Sequence, residues 1–537
     1  MTDSPDLQSQ RHLINGLCDP ARNGSAEPVR LVETHISYVL LTGSHAYKIK
    51  KAVRMGFLDF TTLKSRRFYC EQELRLNRRL APALYLDVVT ITGPSDQPRI
   101  GGPGPVLDYA VRMHEFPQDA LLSQVLGRNA LTTRHIDQLA GAIAAFHGQA
   151  PVAAADGPYG VPENIERMAL ANFADPRGLL TDGGDRAQID RLDDWTRQEQ
   201  LRQYDTFMAR RRNGFVRECH GDLHLNNIAL IDGAITLFDC IEFNDQMRWI
   251  DVMSDIAFTN MDLLHGNRPD YAHRFLNAYL ERCGDYAGLP VLNFYRVFRA
   301  MVRAKVACLR AAQLPAATTD ASRWDESRRY LDLATQLAAT GHPAIVITHG
   351  FAGCGKSAVS QVLIEQFGAL RIRTDVERKR MHGLGARDSS RSGIAGDLYA
   401  PGVSRSVYQQ VATLAGAVLD SGRVVIVDAA FLRRWQRDAF RALARERGLA
   451  FVILDIRTQE STLRDRLQAR SMRADDASEA GHAVLDYQLR TDEPLADDEQ
   501  RDVIRYDGDR PLADARIPAT WQALRDELGG ARPRQGR

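Results

Sequence analysis

Apolar and polar positions alternate along residues 31–55 with the period of two that strands show. The runs Ile36–Leu41 and Ala46–Lys50 flank Thr42-Gly43-Ser44-His45, so the pattern predicts two strands joined by a turn. Residues 62–80 change to helical spacing, with Phe68, Leu74 and Leu80 apolar among many charges. Strand-like runs return at 84–92 and 106–113. Leu139, Ile143 and Phe146 mark a helix over 131–148, and helices dominate 160–215 and 251–313. Short apolar runs, Ile228–Ile231 and Ile235–Phe238, interrupt them. The order predicts an α+β unit with two lobes, the small one rich in strands and the large one in helices.

The pattern breaks at 314–320, Leu-Pro-Ala-Ala-Thr-Thr-Asp. A helix is expected over 321–339, ended by Gly341-His342-Pro343. Strands and helices then alternate. Ala344–Thr348, Val424–Val427 and Phe451–Ile456 are continuous apolar runs, as in strands buried on both faces, and a helix is expected from Ser357 to Phe367. That rhythm predicts an α/β doubly wound parallel sheet. The expected division is an N-terminal extension over 1–25, one domain over 26–340, a second over 341–525 and a flexible tail over 526–537.

A chain of 537 residues has room for two to four domains with cores of their own. With 69 Lys+Arg against 68 Asp+Glu, the balance disfavours nucleic acid as an obligate partner, although a local basic groove is compatible with it. Seven scattered cysteines without Cys-x-x-Cys predict neither a disulfide framework nor a structural zinc. The first residues, MTDSPDLQSQRHL, lack the basic-then-apolar order of a signal peptide, and no stretch has the length of a membrane span. The expectation is a soluble, cytoplasmic protein without membrane association.

Two motifs carry chemistry. The first is His220-Gly221-Asp222-Leu223-His224-Leu225-Asn226-Asn227, followed by Phe238-Asp239. Phosphoryl transfer needs an anchor for the triphosphate, a metal to neutralise charge and a carboxylate to orient the attacking hydroxyl. Asp222 fits the carboxylate. Asn227, five positions on, and Asp239, at the end of an apolar run, fit metal ligands for Mg²⁺.

These residues resemble the aminoglycoside phosphotransferase family of the protein-kinase-like superfold, over roughly residues 25–310. The resemblance implies a bilobal fold and ATP as donor. It makes Lys48 the lysine that meets the α and β phosphates and Glu73 its helical ion-pair partner. Glu71 and Lys50 are the competing choices. Glu115 and Phe116 resemble the hinge between lobes. The turn that would cover the phosphates has only Gly43, which departs from the glycine-rich loop of protein kinases.

The second motif, Gly350-Phe351-Ala352-Gly353-Cys354-Gly355-Lys356-Ser357, follows a predicted strand and opens a helix, the setting of a P-loop. Its backbone N–H groups, with Gly350, Gly353 and Gly355, would cradle phosphate. Lys356 would reach the β/γ oxygens, and Ser357 would bind Mg²⁺. Asp428, at the end of Val424–Val427, is the candidate second metal carboxylate. Arg373-Thr374-Asp375-Val376-Glu377-Arg378-Lys379 places Asp375 19 positions past Lys356, with Arg378 one helical turn on. Over about 344–510 the chain resembles AAA-type predicted kinases and the zeta-toxin-like and polynucleotide-kinase-like P-loop kinases. That resemblance gives Asp375 the acceptor hydroxyl and Arg378 a phosphate. It also implies an arginine-bearing lid, for which Arg466 and Arg470 are chosen from the series Arg464, Arg466, Arg470 and Arg473.

The function expected is a bifunctional ATP-dependent kinase that uses Mg²⁺ and small-molecule hydroxyl acceptors. The alternatives are a nucleotide-binding pseudokinase in one domain, more readily the first, and a nucleic-acid 5′-end kinase or plain ATPase in the second.

Overall fold

The computed structural model describes residues 5–19, 29–56, 58–313, 321–385, 401–471 and 481–529. By contact the chain divides into two compact units, residues 1–165 with 207–262, and residues 166–206 with 263–537.

The first unit holds both predicted hairpin strands in an antiparallel sheet. Its strands are β1 (Arg30–Glu33), β2 (Ser37–Leu41), β3 (His45–Lys50), β4 (Tyr85–Thr92), β5 (Arg99–Ile100) and β6 (Val106–His114). They lie in the order β1-β2-β3-β6-β4-β5. The pleat of β3 sends Ile49 to one face and Lys48 and Lys50 to the other. On the Ile49 face lies a helix that the sequence pattern left unassigned, α1 (Pro5–Cys18). Leu13, Ile14 and Leu17 are buried in a cluster with Tyr38, Leu40 and Ile49. Burial of such side chains stabilises the packing by roughly 1.5–3 kcal/mol each. Gln10 fixes the docking, donating to Lys50 O at 2.7 Å and to Asp108 Oδ2 at 2.8 Å, and accepting from Ala52 N at 2.8 Å.

Helix α2 (Leu63–Asn77) starts at Thr62, whose hydroxyl accepts from Ser65 N at 3.0 Å. Its inward face is Cys70, Glu73, Leu76 and Asn77, at helical spacing. Phe68, one of the apolar positions that marked the helix, is 52% exposed. The partners of Glu73 choose the face, as described below. The unit continues through α3 (Thr133–Gln149), β7 (Val216–Glu218), the hairpin β8 (Ile228–Ile231) and β9 (Ala234–Leu237), β10 (Trp249–Asp251) and the start of α4 (Val252–His265).

The second unit contains α5 (Pro269–Cys283), α6 (Leu289–Gln313) and α7 (Asp325–Ala338). It then forms the predicted parallel sheet, from β11 (Ala344–His349), β12 (Leu370–Arg373), β13 (Val425–Asp428), β14 (Ala450–Arg457) and β15 (Val503–Asp507). The order is β12-β13-β11-β14-β15, every pair parallel. All six residues of β11 are buried, as a central parallel strand requires. Strands β12 and β15 were not expected; charged residues interrupt both, Arg371 and Arg373 in one and Arg505 in the other. Helix α8 (Lys356–Phe367) packs Val359, Val362 and Leu363 into one core with Val346, Ile426 and Leu454. Also in this unit are α9 (Thr374–Met381), α10 (Pro401–Asp420), α11 (Arg434–Glu446), α12 (Glu460–Ser471) and α13 (His482–Thr491), and a last helix spans Gln522–Gly529. No described helix is long and apolar enough to cross a membrane.

Candidate active sites

In the first unit, β3 carries two lysines on one face and α2 brings Glu73 against both. Lys48 Nζ lies 2.9 Å from Glu73 Oε1 and also pairs with Asp239. Lys50 pairs with Glu73 and with Glu242. The Lys50 side chain is 0% exposed and that of Lys48 13%, so Lys48 is the one a ligand can reach. Glu71 points away and pairs with Arg67. Burial opposes the charge on Glu73, but the Lys48 and Lys50 ammonium groups outweigh it and hold its carboxyl low. Burial and the neighbouring Glu73 instead push Glu242 up, against the pull of Lys50. Sequence reasoning missed Glu242; its only signal was a glutamate three positions after Asp239.

The loop 220–227 is held by its backbone. Asp255, on α4, accepts the N–H groups of His220 and Gly221, each at 3.0 Å, and lies 3.1 Å from His147 Nε2. Gly221 has φ +88°, and a Cβ there would come within 2.6 Å of Met247 O. Asn227 Nδ2 donates to Asp222 O at 2.9 Å and to Asp222 Oδ2 at 3.0 Å, which fixes the Asp222 carboxylate. His224 Nε2 is 3.3 Å from the same oxygen. His220 Nε2 lies 2.8 Å from Phe238 O and ties the loop to the segment carrying Asp239. Asp239 adopts φ +66°, a conformation costly for a residue with a Cβ and common at working sites. The Asp222 and Asp239 side chains remain 35% and 37% exposed. Asp251 forms a buried two-point pair with Arg210, at 2.6 and 2.7 Å, so it and Asp255 act on the framework.

The turn before β3 is closed. Gly43 N donates to Glu115 Oε2 at 2.8 Å, and Glu115 N donates to Ser44 O at 3.1 Å. Phe116 packs edge-on against Phe238, 5.3 Å between centroids. The oxygen donors offered by Asn227 and Asp239 suit Mg²⁺, which takes carboxylate and carbonyl oxygens.

In the second unit, β11 and β13 run side by side, so their carboxyl ends bring the P-loop and Asp428 together. Gly350, Gly353 and Gly355 have φ of +143°, +88° and +98°. Gly350 has no room for a Cβ, which would meet Ile456 O at 2.7 Å. Ser357 Oγ donates to Asp428 Oδ2 at 2.7 Å, a hydroxyl and a carboxylate that suit Mg²⁺. Lys356 folds back on its loop, donating to Gly350 O at 2.9 Å and Phe351 O at 2.8 Å. Asp375 and Arg378 form a 2.9 Å pair in α9.

The arginines of α12 divide. Arg466 Nη2 donates to Gly508 O at 2.8 Å, and its Nη1 lies 3.5 Å from Gly353 O of the P-loop. Arg470 is half-buried one turn further on. Arg464 turns to Glu460 and Asp486, and Arg473 lies outside the described residues. Sequence reasoning also missed a cavity of about 650 Å³ at the carboxyl ends of β14 and β15, lined by Arg457, Thr458, Tyr506 and Arg510 among others. Thr458 Oγ1 donates to Cys354 O at 3.3 Å, which joins this cavity to the P-loop.

Residues 66–295 match the model of the phosphotransferase enzyme family, and residues 345–495 match an AAA domain. Uncharacterized proteins of Mycobacterium tuberculosis and Mycobacterium bovis are 31% identical over 473 residues, covering 88% of this chain and 92% of theirs. Among solved structures, a gluconokinase from Sinorhizobium meliloti 1021 is 24% identical, over 35% of this chain and 96% of its own, with a TM-score of 0.25. A choline/ethanolamine kinase family protein from Mesorhizobium loti is 11% identical, over 61% of this chain and 99% of its own, with a TM-score of 0.35. The chain belongs to the family of these mycobacterial proteins and is a phosphotransferase that carries a kinase-like domain followed by a P-loop AAA domain.

Proposed function

We propose that the chain is a bifunctional, Mg²⁺-dependent kinase whose two sites each transfer the γ-phosphoryl group of ATP to a hydroxyl of a small-molecule acceptor. The main support is that each compact unit gathers a complete set of parts: a cation for phosphate, oxygen donors for a metal and a carboxylate for the acceptor. In the first site these are Lys48, then Asn227 with Asp239, then Asp222. In the second they are Lys356, then Ser357 with Asp428, then Asp375. When bound, Mg²⁺ would supply positive charge that offsets the triphosphate.

At each site the acceptor oxygen forms a bond to the γ-phosphorus, the bond to the bridging β–γ oxygen breaks, and ADP leaves. The acceptor proton passes toward Asp222 or Asp375. Glu73 keeps Lys48 extended toward the phosphates. Arg378 and Arg466, with Arg470 behind it, supply positive charge as the phosphoryl group moves. The cavity beside Thr458 is the place for the adenosine of the second ATP. The domains are taken as 26–340 and 341–525, in a cytoplasmic protein. Nucleic acid is disfavoured as a partner by the balanced charge.

One observation favours a second reading for the first site, a nucleotide sensor: the Gly43 N–H is committed to Glu115 rather than left for phosphate. The test is transfer from γ-labelled ATP to a panel of small hydroxyl compounds and oligonucleotides, with the full chain and its Asp222→Asn and Asp375→Ala variants. Each variant should lose a different acceptor. Transfer unchanged in Asp222→Asn, with ATP still bound, supports the sensor. Transfer unchanged in both variants sinks the bifunctional kinase.

A further inference from the structure

A carboxylate from the region matched by the phosphotransferase family reaches the P-loop site. Glu281, near the end of α5, sends Oε2 to within 3.1 Å of Arg371 Nη2 and Oε1 to within 3.5 Å of Arg373 Nη1. Both arginines belong to β12, inside the AAA match. All these residues lie in one compact unit. The backbone registers the contact: Arg371 N donates to Asn277 Oδ1 at 2.8 Å, and Tyr286 donates to Arg371 O at 3.3 Å.

Each arginine continues to the candidate metal pair. Arg371 Nη1 donates to Ser357 O at 2.9 Å and to Ser360 Oγ at 3.2 Å, which clamps the first turn of α8. Arg373 Nε lies 3.9 Å from Asp428 Oδ2, the oxygen that accepts the Ser357 hydroxyl at 2.7 Å. Arg373 is therefore shared between two carboxylates, and only one of them is wanted for a metal. Burial opposes the charge on Glu281, but Arg371 and Arg373 outweigh it and hold the carboxyl below its ordinary range, so it stays ionised.

We propose that Glu281 is a positioning residue for the P-loop site: it draws Arg373 away from Asp428 and fixes Arg371 on the Ser357 backbone, so that Ser357 and Asp428 are kept for Mg²⁺. This rests on the P-loop kinase reading of the second site. It makes the metal affinity of the second site depend on α5, a helix within the phosphotransferase match. Without the Glu281 charge, Arg373 keeps Asp428 Oδ2 at 3.9 Å, and a metal must compete with a guanidinium.

The test is titration calorimetry of ADP into the full chain at a series of Mg²⁺ concentrations. Binding at the second site is the part that Lys356→Ala removes. For Glu281→Gln, that part should need about tenfold more Mg²⁺, as for loss of a group that orients a metal ligand, with metal-free ADP affinity unchanged. Adding Arg373→Gln to Glu281→Gln should restore the Mg²⁺ requirement, which a merely structural role of Glu281 does not predict. An unaltered requirement in Glu281→Gln, or no restoration in the double variant, overturns the proposal while the kinase reading stands. If Glu281→Gln does not fold, Arg373→Gln alone decides: an unchanged or lower requirement supports the proposal, and a higher one overturns it. If Lys356→Ala removes no binding, the reading of the site falls and the proposal with it.

Discussion

The Ser357 hydroxyl donates to the Asp428 carboxylate at 2.7 Å across 71 positions of sequence, joining the start of the P-loop helix to the end of the neighbouring strand. A P-loop helix and a parallel neighbour to its strand are what make that contact. Lys356 meanwhile lies against its own loop carbonyls. In the proposed kinase, phosphate draws it away, and Lys356 is the charge that responds to nucleotide.

Lys356→Ala should therefore lower nucleotide affinity and turnover at the second site together, with turnover reduced by roughly 10²–10³-fold, as for removal of one group that stabilises transferring charge. Asp375→Ala should keep nucleotide binding and lose acceptor phosphorylation. Nucleotide titration beside acceptor-dependent ADP release separates the two. Wild-type transfer by Asp375→Ala would leave a P-loop ATPase of other output.

At the first site, Asp222→Asn should depress transfer by roughly 10²–10⁴-fold with ATP affinity largely kept, because it removes the proposed proton acceptor. Asp239→Ala should instead weaken Mg·ATP binding, since Asp239 is the proposed metal ligand and pairs with Lys48. The check is a KM-against-kcat comparison. Equal losses in both parameters for both variants would contradict the separate roles.

Two ion pairs on α11 should behave differently. Arg437 and Glu499 are each 0% exposed and joined at 2.7 and 2.9 Å. Glu499→Ala leaves a buried guanidinium without its carboxylate and should cost about 3–5 kcal/mol in denaturant unfolding. Asp498→Ala removes the exposed partner of Arg434 and should leave the unfolding midpoint unchanged. The reverse order would show that the buried pair contributes no net stability.

One expected contribution to the pH dependence of folding comes from His273 in α5. Burial holds His273 down at about 4, below its ordinary 6.5, and its ring lies against Gly368 and Glu365 O. The fold therefore prefers the neutral ring. Its stabilising contribution is complete above the unfolded value and is lost as pH falls from 6.5 toward 4. His273→Gln should flatten that acid limb in melts recorded across the window. An acid limb of unchanged slope would remove His273 as its source.

The sequence by itself determined the two motifs, the strand-rich and parallel-sheet patterns and the glycines of the P-loop, whose positive φ the structure shows. These depend on contiguous residues and local backbone conformation: a P-loop lies within eight positions, and Asp222 and Asn227 within six. Periodicity was enough for β2, β3 and β11, whose apolar positions report burial directly. It failed for α1, β12 and β15, where polar and charged residues meet partners far along the chain and hide the apolar pattern. Only the tertiary structure separated Glu73 from Glu71, gave Lys48 the open position and Lys50 the closed one, and brought in Glu242. It alone set Arg466 against the P-loop and Glu281 against Arg371 and Arg373. A charged residue in a helix or strand has the same local pattern whether it faces water or a buried partner. Which it faces is decided by the packing of segments distant in sequence, where an unpaired buried charge would cost several kcal/mol.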